Sequence, residues 1–99
     1  MARAVKPTID AASATALEAL AYLAEDATRL SRFLSTTGIE PSALRDAAGA
    51  PQTLLAVLEH ILADESLLLV FSAGKGIDPA GLEPARDVLE RAILSGAVT

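Results

Sequence analysis

One stretch of the chain restricts its fold more than any other: the five apolar residues Leu-Leu-Leu-Val-Phe at 67–71. Their side chains cover all sides of a helix for more than one turn, and a helix that is apolar on all sides is buried. The stretch follows Asp64, a residue type that is favoured at the N-cap of a helix, and another apolar segment lies directly before it at 54–62. We therefore expect a central, buried helix that begins at Asp64 and is surrounded by the other helices.

Glycine, proline and aspartate divide the rest of the chain into further helices. Proline is favoured in the first turn of a helix and glycine just beyond its end. Together with the spacing of the apolar residues, these signals predict helices over residues 10–25, 27–36, 41–48, 51–63 and 79–95, besides the one that begins at 64. Thr8 or Asp10 is expected to cap the first helix. Pro84 is expected to kink the last helix or to mark its true start near Glu83.

The predicted architecture is all-α, a compact single domain of five to six helices. A chain of 99 residues has the length of one domain. We expect residues 10–95 to form this domain, residues 1–9 to form a loose N-terminal arm, and residues 96–99 to form a C-terminal tail.

The chain is similar to itself at an offset of 38 residues. The pattern Phe-x4-Gly-Ile-(Glu/Asp)-Pro-x2-Leu begins at Phe33 and again at Phe71, and Asp26 corresponds to Asp64. We interpret this as a duplicated helix-helix-turn unit whose two copies are related by an approximate twofold axis, with both phenylalanines in the core. Polar residues of the first unit become apolar in the second, so we expect the second unit to be more deeply buried; the pairs are Arg29 with Leu67, Ser31 with Leu69, and Arg32 with Val70.

Five segments carry a resemblance to a known family. They are Leu-Ala-Glu-Asp at 23–26, Arg-Phe-Leu at 32–34, Thr-Gly-Ile-Glu-Pro at 37–41, Leu-Arg-Asp-Ala at 44–47 and Leu-Ala-Asp-Glu-Ser-Leu-Leu-Leu-Val-Phe at 62–71. Over residues 14–90 the chain resembles a small bacterial family of all-helical proteins, a domain of unknown function. The resemblance implies a compact helical domain and brings no activity, cofactor or catalytic residue with it.

The composition argues against several classes of function. The chain has no cysteine, so it forms neither disulfides nor a thiolate metal site. Its net charge of −5 opposes binding to phosphate backbones, and two Phe and one Tyr offer few rings for stacking on bases, so no nucleic acid is expected as a partner. Charged residues interrupt the long apolar stretches, and we expect no secretory signal and no membrane span. The sequence therefore predicts a soluble, cytoplasmic protein.

The candidates for a pocket are Tyr22, His60 and Asp64, which we expect to lie between the two repeated units. His60 and Asp64 are four residues apart and, with Glu59 and Glu65, could supply an imidazole and carboxylates to a metal. Asp64 already has a role as a helix cap, and His60 is the only histidine of the chain. Because an active site or metal site needs a larger cluster of such groups, we expect no catalytic residue, no metal and no cofactor.

A basic stripe is the candidate interaction surface. It consists of Arg29, Arg32 and Arg45. Glu25 precedes Arg29 by four residues, which is also typical of an ordinary solvated helix face.

Two hypotheses of function follow. In the first, which we favour, the protein is a non-enzymatic interaction or regulatory domain. It binds a protein partner through the additional apolar residues of the second unit or through the basic stripe. In the second, a pocket between the units binds a small molecule or catalyses a reaction. We expect a monomer in which the first and last helices cover the apolar residues of the central helix, with a homodimer as the alternative if those residues stay open.

Overall fold

Capping residues begin and end the helices close to the positions that the sequence predicts. Within residues 7–96, which a computed structural model describes, the helices are α1 (Ile9–Ala24), α2 (Ala27–Thr37), α3 (Pro41–Asp46), α4 (Pro51–Leu62), α5 (Glu65–Lys75) and α6 (Leu82–Ser95), with a 3₁₀ turn (Pro79–Gly81) before α6. All regular structure in this part of the chain is helical, and the helices form one globule with a Cα radius of gyration of 13.1 Å. The all-α prediction is confirmed. The predicted arm and tail lie mostly outside the described residues.

The predicted caps form. Thr8, one of the two cap candidates for α1, accepts a backbone N–H at 3.0 Å. Asp26 Oδ1 accepts two backbone N–H groups of α2, at 2.8 and 3.1 Å, and Asp64 Oδ1 accepts one of α5 at 3.1 Å. Gly38 and Gly76 end α2 and α5 in the left-handed conformation, with φ of 76° and 66°. These local signals therefore fix both ends of two corresponding helices.

Pro84 lies in the first turn of α6, which begins at Leu82. A proline is tolerated there because the first N–H groups of a helix have no partner within it. Of the two expected outcomes, a kink or a start near Glu83, the second is confirmed. The third helix is shorter than predicted and ends at Asp46.

The core is formed by α1, α4 and α6, which make the most extensive contacts with one another. Each contributes an apolar stripe at helical spacing. The small residues of the α1 stripe allow the backbones of the other two helices to approach closely. The buried residues of the three stripes are Ala12, Ala16, Ala19 and Leu23 in α1, Leu54, Val57, Leu58 and Ile61 in α4, and Leu82, Ala85, Leu89 and Ala92 in α6.

The prediction that the helix after Asp64 is the buried centre of the fold is wrong. In α5 only Phe71 and Ser72 are buried, while Leu69 and Val70 expose 51% and 59% of their surface. The longer helices α1, α4 and α6 cover one another, so α5 packs by one side only, mainly against α4. The expectation that Leu67, Leu69 and Val70 have moved to the interior is wrong for the last two, and Leu67 is half-buried.

The two phenylalanines lie in reciprocal aromatic contacts. Phe33 and Phe71 are both fully buried, which confirms that they belong to the core. Phe33 of the first unit lies 5.3 Å, centroid to centroid, from the ring of His60, while Phe71 of the second lies 5.3 Å from the ring of Tyr22. Tyr22 and His60 are themselves 38 residues apart. An approximate twofold axis would generate such a pair of contacts, although the duplication itself stays a prediction.

Candidate functional site: a cleft between two capped helices

A cleft of about 250 Å³ lies between the N-terminal ends of α2 and α5. Of the six site candidates predicted from the sequence, four line this cleft: Arg29, Arg32, His60 and Asp64. The lining residues are Asp26, Thr28, Arg29 and Arg32 from α2 and its cap, His60 from α4, and Asp64 and Leu67 from α5 and its cap. Corresponding caps of the two units therefore face the same space.

Arg29 ties α2 to the end of α1. Its guanidinium carbon lies 3.9 Å from the ring centroid of Tyr22, and its Nε and Nη2 donate to the Tyr22 carbonyl oxygen at 3.2 and 2.9 Å. Glu25 lies 3.8 Å from the same guanidinium. The hydrogen bonds occupy two of the five guanidinium N–H groups of Arg29, and Tyr22 lies buried beneath this side chain instead of lining the cleft. Both residues therefore have a structural role.

The two aspartates of the cleft are helix caps. Hydrogen bonds from the backbone N–H groups of Arg29 and Thr28 lower the pKa of Asp26 below its usual value, so that this carboxylate stays ionised. Asp64 accepts the backbone N–H of Leu67. The lowered pKa makes the Asp26 carboxylate a weak general base and keeps it from serving as a general acid near neutral pH.

His60 is half-buried and touches two clefts. Burial lowers the pKa of its imidazole, Arg32 lowers it further, and Asp64 opposes the shift. The ring is therefore neutral at pH 7 and is able to donate one hydrogen bond and accept another. On its other side it contributes to a shallower cleft with Thr36 and Thr37 of α2. Within residues 7–96, no group of three or more His, Asp or Glu side chains is placed to hold a metal ion.

The predicted basic stripe is divided between two places. Arg32 is exposed at the cleft, and within residues 7–96 no carboxylate oxygen lies within ion-pair distance of it. Arg45 lies elsewhere, at a mostly apolar groove of about 290 Å³ that α1, α2 and α3 form together with Ala48. The three arginines therefore do not form one surface.

The structure also shows a surface that the sequence analysis placed in the interior. The side of α5 that faces solvent, which we call the α5 face, is exposed along its whole length and carries no charge; it consists of Ser66, Leu69, Val70, Ala73 and Gly74. The residues that correspond to it in α2 are equally exposed but polar, namely Thr28, Ser31, Arg32, Ser35 and Thr36. The comparison of the two units at the 38-residue offset could have predicted this surface, because positions that are polar in α2 are the ones expected to face solvent in both helices.

Within residues 7–96, no helix has the length and apolar character needed to cross a membrane.

Comparison with known protein families identifies a match over most of the chain. A family described as "Protein of unknown function (DUF3572)" matches residues 9–92, which include α1 to α5 and most of α6. No curated protein and no solved structure matches the chain. The resemblance to a domain of unknown function is thereby confirmed, and the chain belongs to the DUF3572 family.

Proposed function

We propose that this protein is a non-enzymatic interaction domain that binds a protein partner through the α5 face. The observation that carries the proposal is the exposure of Leu69 and Val70, at 51% and 59%, in the middle of an uncharged helix surface. Full burial of one such side chain is worth about 1.5–3 kcal/mol, so a partner that covers both would gain binding energy. Exposed apolar patches of this kind are typical of interaction sites.

The helix α2 serves as an internal comparison. Both α2 and α5 are 11 residues long, begin at an aspartate cap and end at a left-handed glycine. Because α2 has Ser31 and Arg32 where α5 has Leu69 and Val70, a helix in this position does not need apolar residues on its outer side. The exposed Leu69 and Val70 therefore contribute little to packing among the described residues.

The structural roles of the cleft residues support a non-enzymatic function. Asp26 and Asp64 are helix caps, and Arg29 is bound to the end of α1. Of the described lining residues, His60, Arg32 and the hydroxyl of Thr28 remain for chemistry, and no hydrogen bond joins any two of them as a nucleophile and its base would be joined. Because the chain lacks cysteine and carries a charge of −5, we place this function in the cytoplasm and without nucleic acid.

The test replaces two residues of the α5 face by those at the corresponding positions of α2. The double variant Leu69→Ser, Val70→Arg gives α5 the residues of α2, and Leu94→Ser, at a residue 80% exposed on α6, is the matched control. Tagged proteins are used to retain partners from a lysate of the native cell, and retained proteins are identified by mass spectrometry. We expect wild type and Leu94→Ser to retain the same partner and the double variant to lose it. A partner that the double variant retains equally well would contradict the proposal.

A second candidate function is binding of a small carboxylate in the cleft. It is favoured by the exposed guanidinium of Arg32 beside the neutral imidazole of His60, which together offer donors to an anionic oxygen, while the carboxylates of Asp26 and Asp64 in the same cleft oppose an anion and are partly offset by the helix N-termini that they cap. The volume of about 250 Å³ restricts the ligand to a small metabolite. A screen of small carboxylates by thermal shift tests this, with Arg32→Gln as the variant. A shift that Arg32→Gln does not reduce would reject the cleft as the binding site.

A further inference from the structure

The apolar groove beside Arg45 leaves leucine side chains from two helices partly open to solvent. Its volume is about 290 Å³, and Leu20 and Ala24 of α1 also line it. Leu30 and Leu34 of α2 and Leu44 of α3 are only half-buried. A concave surface lined mainly by apolar side chains, with a polar group at its edge, is the usual form of a site for a small molecule.

The corresponding residues of the second unit are better buried. Three pairs at the 38-residue offset show this difference: Ala24 with Leu62, Leu34 with Ser72, and Leu44 with Leu82. In the second unit the chain continues from the 3₁₀ turn into the long helix α6, which packs against α1 and α4, whereas in the first unit α3 ends after six residues. The groove therefore lies where the first unit lacks the packing that closes the second.

The helix α3 forms one wall of the groove but is not packed into the core. None of its residues is buried, and within residues 7–96 it makes no extensive contact with another helix. Its apolar residue Leu44 faces the groove. A ligand in the groove would therefore give α3 apolar contacts that it lacks in the free protein.

Arg45 gives the groove a positive end. Among the described lining residues it is the only one with a charge, and within residues 7–96 no carboxylate oxygen lies within ion-pair distance of it. The corresponding residue of the second unit is Glu83. A guanidinium binds a carboxylate through two parallel hydrogen bonds. The negative pole of α3 and the exposed Glu40 and Asp46 oppose an anion, although neither side chain lines the groove, so the charge adds only modestly to the affinity.

We infer that this groove binds an aliphatic carboxylate, with its hydrocarbon chain against Leu30, Leu34 and Leu44 and its carboxylate on Arg45. The chain supplies most of the binding free energy, because this free energy grows with the apolar area that is buried. The volume lies near the lower end for ligand pockets, so the chain is short. This site is separate from the α5 face and from the cleft at Arg32, and it goes beyond the proposed function.

Titration of the isotope-labelled protein with sodium octanoate, followed by NMR, tests the site. We expect saturable shifts at the amides of Leu30, Leu34 and Leu44. Hexanoate should bind more weakly, by about two- to fourfold for each methylene removed, and acetate, which has no chain, should leave these amides unshifted. Failure to reach saturation, or shifts at Arg32 and His60 instead of the groove, overturns the inference.

Arg45→Gln tests the contact with the carboxylate. The matched control is Arg91→Gln on α6, because Arg91 is also exposed and also has no ion pair within residues 7–96. We expect the dissociation constant for octanoate to rise about two- to fivefold in Arg45→Gln and to stay unchanged in the control. Octanol, which is uncharged, should bind wild type and Arg45→Gln equally. An octanoate dissociation constant that does not respond to Arg45→Gln overturns the inference.

Ala24→Leu tests the groove without changing its charge. The variant places in the first unit the residue type that the second unit has at Leu62. Leucine is a good helix former, so the melting temperature should stay close to that of wild type. Its larger side chain fills part of the groove, and we expect the dissociation constant for octanoate to rise at least tenfold. Unchanged binding to the folded variant would place octanoate elsewhere and overturn the inference.

Amide hydrogen exchange tests whether α3 is a wall of the site. If octanoate must leave before α3 opens, octanoate at about ten times its dissociation constant slows the exchange of α3 by about tenfold. The exchange of α5, which does not line the groove, should change little. Exchange of α3 that octanoate leaves unchanged overturns the inference.

The failure of this inference is distinguishable from the failure of the proposed function. If octanoate does not bind while wild type retains a partner that the Leu69→Ser, Val70→Arg variant loses, only the ligand of the groove is rejected. If the amides of Leu34 and Leu44 shift with a retained protein and not with octanoate, the groove is a surface for protein docking and the inference is overturned.

Discussion

His60 shows how a residue's position in the fold sets its chemistry. It is the only histidine of the chain, it packs edge-on against Phe33, and it lies between the cleft of Arg32 and Asp64 and the cleft of Thr36. Burial and the nearby Arg32 both disfavour the imidazolium form. The folded protein therefore binds a proton at His60 less tightly than the unfolded chain does.

This difference predicts a dependence of stability on pH. The stabilising effect of the neutral ring is complete above the ordinary pKa of 6.5 and is lost as the pH falls through the lower pKa of the folded state. Between pH 7.5 and 5, urea denaturation should show wild type losing more stability than His60→Gln, which has no group that titrates at this position. NMR titration of the imidazole gives the pKa directly, and a value above 6.5 would contradict the prediction.

At the scale of the helices, the main polar contact between α2 and α1 is made by the side chain of Arg29. Arg29 covers the ring of Tyr22 and donates to the carbonyl oxygen of the same residue, which lies in the last turn of α1 and otherwise accepts only a long hydrogen bond, 3.3 Å, from the backbone N–H of Glu25. Arg32 is one turn further along α2 but lacks such contacts within residues 7–96.

We therefore expect Arg29→Ala to be destabilising by about 1–2 kcal/mol, from the loss of two charge-assisted hydrogen bonds to one carbonyl oxygen and of a partly exposed cation–π contact. Arg32→Ala, the control on the same helix, should change the free energy of unfolding by less than about 0.5 kcal/mol. Chemical denaturation measures both. Equal effects of the two substitutions would show that the contact with Tyr22 contributes nothing specific.

The elements also show which features the sequence could predict. Helix starts and stops depend on local geometry, so Asp26, Asp64, Gly38 and Gly76 were enough to place α2 and α5. Which side of α5 is buried depends on its neighbours, and a continuous run of apolar residues has no period from which that side could be recognised.

The candidate site follows the same division. Because His60 and Asp64 are close in sequence, the sequence could predict that they lie near each other. The presence of Arg29 and Arg32 in the same cleft depends on how α2 packs against α4 and α5. Arg45 was grouped with them because the sequence does not show that α3 carries it to another groove. Which arginines share a site is decided by contacts between distant parts of the chain, which the sequence does not show.

At the scale of the whole molecule, the stability is concentrated in α1, α4 and α6. Fifteen residues form the main buried cluster, and these three helices supply most of them. By contrast, α3 has no buried residue, and α5 buries only two. Segments with few buried contacts open more readily than the core does.

Amide hydrogen exchange should follow this distribution. We expect the slowest exchange at the inward-facing amides of α1, α4 and α6, with exchange rates that report global unfolding. The amides of α3 should exchange fastest among the helices, because opening α3 exposes little apolar surface. Exchange followed by mass spectrometry or NMR tests the order, and protection of α3 equal to that of α4 would contradict it.

The separation between the core and the α5 face has an evolutionary consequence. Leu69 and Val70 contribute little to the packing of α1, α4 and α6, so substitutions there leave the folded state almost unchanged. Related proteins are therefore free to change this surface, and under the proposed function also the partner that it binds, without first acquiring compensating changes in the core. Within the family, sequence variation at the positions of the α5 face should follow differences in partner more closely than differences in stability.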